Sequence, residues 1–293
     1  MSKNDEFAGA NIKQRIERIT ELPPMPEMAT KIFHLNANPY ARAEDLAALV
    51  ELDPSLAAQI IRYAKSPFFG YRGSITSIQD AIARVLGYDM VMNIALGLAA
   101  ASAFKNPKDG PLGLHAFWKH AIYSATLTQM IGKLIPKDRQ PEAGLAYLSG
   151  LLHNFGFLLL GHLFKNEFLQ LNQAILNDPE KSVAEHETDL LGVQHTEIGA
   201  WLMQAWNMPA EIITCIREHH NEDYSDNHDT YANLVLLTDR LLKSHGIGDA
   251  PCTECPASLL QKLGLEEAQI NDCLETFLEN EAELEAMAST LAA

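Results

Sequence analysis

The sequence predicts an all-α protein arranged as a two-lobed helical bundle. Three observations carry that reading. Apolar residues recur at three and four positions along most of the chain, while alternating strand-like runs are nearly absent. Helix starts and stops are marked by capping residues and by Pro and Gly breaks. One polar, Pro/Gly-rich joint, KNPKDGPLG at 105–113, divides the helical pattern. With 47% hydrophobic and 20% charged residues, the 293-residue chain holds enough apolar material for one large core or two moderate ones, and general disorder is excluded.

Taken in order, Asp53-Pro54 reads as a helix start, with Asp as cap and Pro where a missing N–H costs nothing. Leu56, Ile60 and Ile61 follow on one side. Ser77-Ile78-Gln79-Asp80 fits a capping box opening a helix through Ile82, Val85 and Leu86 to Gly87. FWKHAIYSA (117–125) reads as helix. Asn177-Asp178-Pro179 and Asn207-Met208-Pro209 are breaks between helices. Ile270, Leu274, Phe277, Leu278, Leu284, Met287 and Leu291 form one stripe of a long acidic C-terminal helix. The pattern therefore gives a first lobe at 11–108 and a second at 114–245. A third stretch, 246–293, begins in a loop rich in Gly, Pro and Cys and ends in the acidic helix.

Thirty-eight acidic and 22 basic residues give a formal charge of −16. From Pro251 onward nine acids face one base, Lys262, which places half of that charge in the last 43 residues. A surface this acidic repels phosphate backbones and anionic lipid, so neither nucleic acid nor a membrane surface is the expected partner. The start, Met1 to Ala10, shows no secretory signal. The best membrane-span candidate, Tyr147 to Phe164, is interrupted by His153, Asn154 and His162. The four cysteines are too few for a disulfide scaffold at this length, and a reducing cytoplasm is the expected location.

The chemistry lies in the second lobe, which holds every histidine but His34. His120 sits in the FWKHAIYSA run, and His153-Asn154 lies within GLLHNFGFLLL (150–160). His186, His195, His219 and His220 follow, and Asp239 sits in ANLVLLTDRLL (232–242). Polar groups inside apolar helices need partners. Imidazoles and carboxylates converging between helices make a bundle-core metal site. The competing reading of each such histidine alone is a hydrogen-bonded core residue.

The order His120, His153-Asn154, Asp239 resembles the ligand order of the HD superfamily of metal-dependent phosphohydrolases, a His, an adjacent His-Asp pair and a distal Asp. The chain is more similar still to a subgroup, the HDOD (HD-related output) domain. That resemblance rests on LPPMPEMATKIFHL (22–35), EDLAALVELDPSLAAQIIRYAKSPFFG (44–70), SITSIQDAIARVLGYDMVMNIAL (74–96), FWKHAIYSA, GLLHNFG, ETDLLGVQHTEIGAWLMQAWNMPAEI (187–212) and IREHH (216–220). It covers about residues 15 to 240 and leaves the acidic tail outside. It implies an HDOD domain over 11–245, with an HD-like second lobe. It also implies candidate metal ligands at His120, His153, Asn154 and Asp239, and pocket-lining roles for His186, His195, His219 and His220. The departure is Asn154, where the paired Asp stands in HD enzymes. That carboxylate holds and often bridges divalent metal there, and Asn offers only a neutral carbonyl oxygen. A two-metal phosphoesterase is therefore not expected. The cofactor expectation is none, or one divalent ion (Mn, Fe, Mg or Ni) on His120, His153 and Asp239.

Other features weigh less. Cys252-Thr253-Glu254-Cys255 has zinc-like spacing, but Cys215 and Cys273 are isolated and no second pair completes four ligands. Residues 44–65 could pass for a helix-turn-helix with Gln59, Arg62 and Lys65 on the reading helix, yet Glu44, Asp45, Glu51 and Asp53 flank it. The HDOD resemblance implies a non-catalytic regulatory module of bacterial signal transduction. Such a module acts through protein partners of its pathway or through a small nucleotide-like ligand in a degenerate pocket. The alternative is a one-metal phosphohydrolase acting on a nucleotide or phosphate ester.

Overall fold

In the computed structural model, residues 22–292 are described. The first lobe's opening segment, 11–21, and the start at 1–10, where no secretory signal is expected, lie outside them. Among the described residues every regular element is helical. The first lobe comprises α1 (Glu27–Asn36), α2 (Ala43–Val50), α3 (Pro54–Ala64), α4 (Ile78–Ala81) and α5 (Tyr88–Ala101). The second comprises α6 (Leu114–Gly132), α7 (Ala143–Leu152), α8 (Phe155–Leu163), α9 (Lys165–Asn177), α10 (Val183–Leu191), α11 (His195–Ala205), α12 (Ala210–Glu218) and α13 (Asp229–Lys243). The C-terminal stretch adds α14 (Ala257–Leu263), α15 (Glu267–Leu278) and α16 (Glu281–Ala292).

The local signals act as expected at several boundaries. The Asp53 side chain accepts hydrogen bonds from the N–H groups of Ser55 and Leu56, with Pro54 opening α3. Ser77 accepts from the Asp80 N–H at 3.1 Å, but the helix it starts widens into a π turn over Ile82–Leu86 before Gly87 ends it. The break at 177–179 ends α9, and the break at 207–209 separates α11 from α12. The 105–113 joint is irregular. The single long C-terminal helix expected from the apolar stripe is instead two, α15 and α16, with the chain leaving helical order at Glu279 and Asn280. Ile270, Phe277, Leu284 and Met287 of that stripe are all buried, so the break folds one stripe onto the bundle in two pieces.

The apolar stretch 143–163 is long and hydrophobic enough to cross a membrane by composition alone, yet 89% of its apolar window is buried inside the fold. His153 and Asn154 split it into α7 and α8. The α6–α7 pair is the central packing unit. The backbones approach so closely at Gly150 that a Cβ there would lie 2.7 Å from the Ala125 Cα, which brings His120 and His153 onto a common interior face.

One continuous apolar core links all parts, running from Ala29 and Ile32 through Phe155 and Leu237 to Phe277 and Leu284. The lobes are tied by the buried Tyr63–Tyr147 hydroxyl pair at 2.9 Å, and α5 packs on α7. Trp206 donates its indole N–H to the Pro23 carbonyl. The C-terminal stretch belongs to this core: α16 lies along α6, Tyr123 donates to the Glu281 carbonyl at 3.1 Å, and Lys119 pairs with Glu285 at 2.7 Å.

Phe277 tests that integration. It is fully buried and meets Tyr123 edge-to-face, with ring centroids 5.6 Å apart. Phe277→Ala should cost about 3–5 kcal/mol of unfolding free energy. Leu176→Ala, at a position 61% exposed, should cost within about 0.5 kcal/mol. Urea denaturation measures both, and equal small costs would show that the C-terminal helices are not part of the cooperative core.

Candidate functional site

The site is assembled where four helix ends and two helix faces meet. His120 projects from the buried face of α6, and Asp239 from that of α13. His153 and Asn154 occupy the junction between α7 and α8. His195 opens α11, and His219-His220 follows the end of α12. Every one of these residues except His220 is buried, and His153, His195, His219 and Asp239 have no exposed surface.

Two groups result. In the first, His120 Nε2 lies 3.1 Å from Asp239 Oδ1, and His153 Nε2 lies 3.6 Å from the same oxygen. In the second, His195 Nε2 and His219 Nε2 face each other at 3.4 Å, with His220 beside them. Between the groups stands Asp249, a residue of the strap that follows α13. Its Oδ1 accepts from the Asn154 amide at 2.8 Å and lies 3.5 Å from His120 Nδ1. Its Oδ2 lies 3.3 Å from His195 Nε2 and 3.2 Å from His220 Nε2. The strap reaches this depth because Gly248 adopts φ +89°, where a Cβ would lie 2.6 Å from the His120 ring.

The histidine tautomers follow from their outer partners. His153 Nδ1 meets the Gly150 carbonyl at 2.7 Å, and His219 Nδ1 meets the Ile216 carbonyl at 2.9 Å. A carbonyl only accepts, so both Nδ1 atoms carry the proton. His195 Nδ1 donates to the fully buried Glu187 carboxylate at 2.8 Å, and that carboxylate also accepts the His195 backbone N–H at 2.9 Å. In their neutral forms all three rings therefore turn a bare Nε2 inward. His153 Nε2, Asp239 Oδ2 and Asn154 Oδ1 are buried with no hydrogen-bond partner. Imidazoles pinned at Nδ1 by a carbonyl or carboxylate, with Nε2 free, are the arrangement of metal ligands and their supports. The residues present thus fit a divalent cation.

Charge and burial oppose each other here. Burial holds the His153 pKa down to about 4, outweighing the attraction of Asp239. Burial and the neighbouring imidazoles push His219 well below the ordinary value. For His120 burial is again the largest influence, but Asp239 and Asp249 together outweigh it and raise the pKa. For His195 burial is outweighed by Glu187 and Asp249. Asp239 and Asp249 are lowered despite burial, by His153 and His120 for the first and by His220 and His195 for the second.

Of the residues expected from sequence, the structure brings His120, His153, Asn154, Asp239, His195, His219 and His220 together. His186 stands apart. Its Nε2 meets the Asp178 carbonyl at 3.0 Å, because adjacent helical residues point about 100° apart and it is Glu187 that turns inward. Two site residues were not anticipated. Glu187 lies inside the ETDLLGVQH run, eight residues before His195, where its spacing marks it as a support. Asp249 lies beyond the family-like motifs, and its only signal is a lone acid framed by Gly246, Gly248 and Pro251. All four cysteines are free, and neither histidine–carboxylate group includes one.

A cleft of about 370 Å³ leads from the surface towards the site, bordered by Phe117, Lys119, His120, Asn154, Phe157 and Asp249. Asn154 and Asp249, joined by their hydrogen bond, both line it. His153, His195 and His219 do not line it and have no exposed surface.

An all-helical bundle with a histidine–carboxylate centre at its helix ends defines the class of HD-like domains. Within it, the HDOD domain model matches residues 22–222, and the chain belongs to the HDOD family. The chain is similar over 99% of its length to a protein of Marinobacter aquaeolei VT8 named as a candidate signal transduction protein, at 37% identity and TM-score 0.86. It covers 64% of that chain. An HDOD domain protein of unknown function from Geobacter sulfurreducens shares the fold at 20% identity and TM-score 0.77, over 94% of this chain and 96% of its own. A candidate phosphohydrolase from Shewanella amazonensis SB2B does so at 20% identity and TM-score 0.74, over 94% and 97%. A curated relative from Treponema pallidum, itself uncharacterized, is 27% identical over 260 residues. The chain spans about half the length of that relative, covering 48% of it.

The buried neutral imidazoles set a pH dependence for the metal-free protein. His153 falls from an ordinary value near 6.5 to about 4 on folding. Between those pH values the unfolded chain binds a proton that the folded chain does not, so stability rises with pH across the window and is lost on acidification. The size is of the order of 3 kcal/mol. His120 and His195 act in the opposite sense at higher pH, where their stabilisation is lost as pH rises through their raised folded values. Urea denaturation of chelator-treated protein at pH 7 and pH 4.5 should show the acid-side loss, and His153→Gln should reduce it. An unchanged slope in the variant would remove His153 as the source.

Proposed function

We propose that this chain is a non-catalytic regulatory module of bacterial signal transduction, built on an HD-type site that has been closed. The observation that supports this best is the lining of the cleft. A phosphate ester entering it meets His120 and the Asn154 amide hydrogen-bonded to Asp249, while His153, His195 and His219 do not line it. Hydrolysis of such an ester needs a cation with an open position against the substrate. The cleft instead offers two aromatic walls, Phe117 and Phe157, with Lys119 and the strap itself. That lining suits a small nucleotide-like ligand or a partner's side chain, sensed through the strap and the C-terminal helices it leads into. The signal-transduction name carried by the Marinobacter relative agrees with this reading.

The second reading, a one-metal phosphohydrolase, is favoured by the orphaned His153 Nε2 and Asp239 Oδ2. There His120, His153 and Asp239 would hold one cation, which supplies Lewis-acid polarisation of a phosphoryl oxygen when bound. Asn154 and the strap would have to part to admit substrate. Assays against cyclic dinucleotides, cyclic mononucleotides and an aryl phosphate, with Mn²⁺, Mg²⁺, Fe²⁺ or Ni²⁺ supplied, decide between the two. The regulatory reading expects no turnover. Hydrolysis at about 1 per second or faster, abolished by His153→Ala, would overturn it.

A further inference from the structure

We propose that Asp249 replaces the carboxylate missing at position 154 and bridges two divalent cations behind the strap. Loss of the paired Asp from the motif argues against a two-cation centre, because two close cations need anionic ligands between them. The structure returns an anion to that place from another part of the chain. Asp249 is 4% exposed and hydrogen-bonded to Asn154 itself, and its two oxygens face different histidine groups. Oδ1 lies 3.5 Å from His120 Nδ1, and one ligand atom from each of His120, His153, Asp239 and Asp249 lies within 4.8 Å of the others. Oδ2 belongs with His195 and His220, at 3.3 and 3.2 Å, and His219 closes that group.

Two of the ligand-to-ligand spacings fall within those of a coordination shell, and a third lies just outside. Ligand atoms about 2.1 Å from a shared cation lie about 3.0–3.4 Å from one another in octahedral or tetrahedral geometry. The edges measured here are 3.1 Å for His120–Asp239, 3.6 Å for His153–Asp239 and 3.4 Å for His195–His219. Independent support comes from the buried atoms without partners. His153 Nε2 and Asp239 Oδ2 point inward with nothing to bind, and burying a polar atom unpaired is costly. The Nε2 atoms of His195 and His219 meet at 3.4 Å, an edge that a shared cation can span. Imidazole nitrogens beside two carboxylates favour Mn²⁺ or Fe²⁺ over Mg²⁺. Asn154 becomes the residue that orients Asp249, through its amide donor. Because Asp249 rides on the strap, cation occupancy holds the strap shut, which is compatible with the regulatory reading but does not depend on it.

The test counts metal and reads spin coupling, with no turnover assay. Full-length protein, stripped with chelator and dialysed against Mn²⁺, should bind two Mn²⁺ per chain and give the exchange-coupled electron paramagnetic resonance signal of a bridged pair. Asp249→Asn should lose that coupled signal and weaken Mn²⁺ binding at least tenfold. Adding Asn154→Asp to Asp249→Asn should restore the coupled signal, since it moves the carboxylate back across the same hydrogen bond. A wild-type protein that binds no Mn²⁺, binds one, or binds two without coupling overturns the proposal, and needs no variant to do so. So does an Asp249→Asn protein that binds within twofold of wild type. Hydrolytic activity with two coupled Mn²⁺ would sink the regulatory reading while leaving this one standing.

Discussion

The structure depends on the Asp249 carboxylate at the meeting point of the buried histidines. A carboxylate removed from water survives only where hydrogen-bond donors and positive charge surround it. Asp249 has the Asn154 amide on one oxygen and His195 and His220 on the other, with His120 close by. Those partners come from four separate parts of the second lobe, the ends or faces of α6, α8, α11 and α12. The strap therefore fastens the helix ends together, and each of those elements has to keep its place for the charge to remain satisfied. The same requirement explains Gly248, where a side chain would collide with His120 and lift the acid out of its seat.

From the strap outward the dependence reaches the C-terminus. Residues 246–293 lie beyond the 22–222 family match, yet they supply the central acid and a large part of the wall around α6. Tyr123 and Lys119, on the helix that carries His120, are fixed by Glu281 and Glu285 of α16. Part of the tail's acidic charge is thus spent on docking against the helix that presents the site. Acids of this tail left in solvent still add to the chain's formal charge of −16.

Much of this was legible in the sequence, for identifiable reasons. Helical periodicity, the Asp53 cap and the breaks at 177–179 and 207–209 are local signals, and local chemistry decided those elements. His120, His153, Asn154 and Asp239 were legible because polar residues inside apolar helices demand partners. What escaped was decided by distance and direction. Nothing local says whether His186 or Glu187 turns inward, since one step along a helix is about 100° and the choice depends on where α10 packs. Nothing local says that an acid in a Gly-rich loop will return across the chain to position 154. The C-terminal stripe was read as one helix because apolar spacing persists through the bend at Glu279–Asn280, and both halves pack on the same bundle.

Asn154 has a different meaning once the strap is in view. Read from the motif, it is a lost ligand, and the inference is a weakened metal site. Read in three dimensions, its amide donates to the acid that stands beside it, a hydrogen bond that an ionised Asp at 154 could not make. Two carboxylates in contact would repel unless a proton or cations came between them. Asn at 154 and Asp at 249 are therefore one arrangement, in which the amide removes that repulsion and aims the surviving carboxylate. Asp249 arrives on the strap that follows α13 and lines the same cleft as Asn154 and His120. On the proposed regulatory reading, imidazoles oriented by Gly150, Ile216 and Glu187 would keep the means to hold an ion, while the strap beside Asn154 would limit the room for an ester.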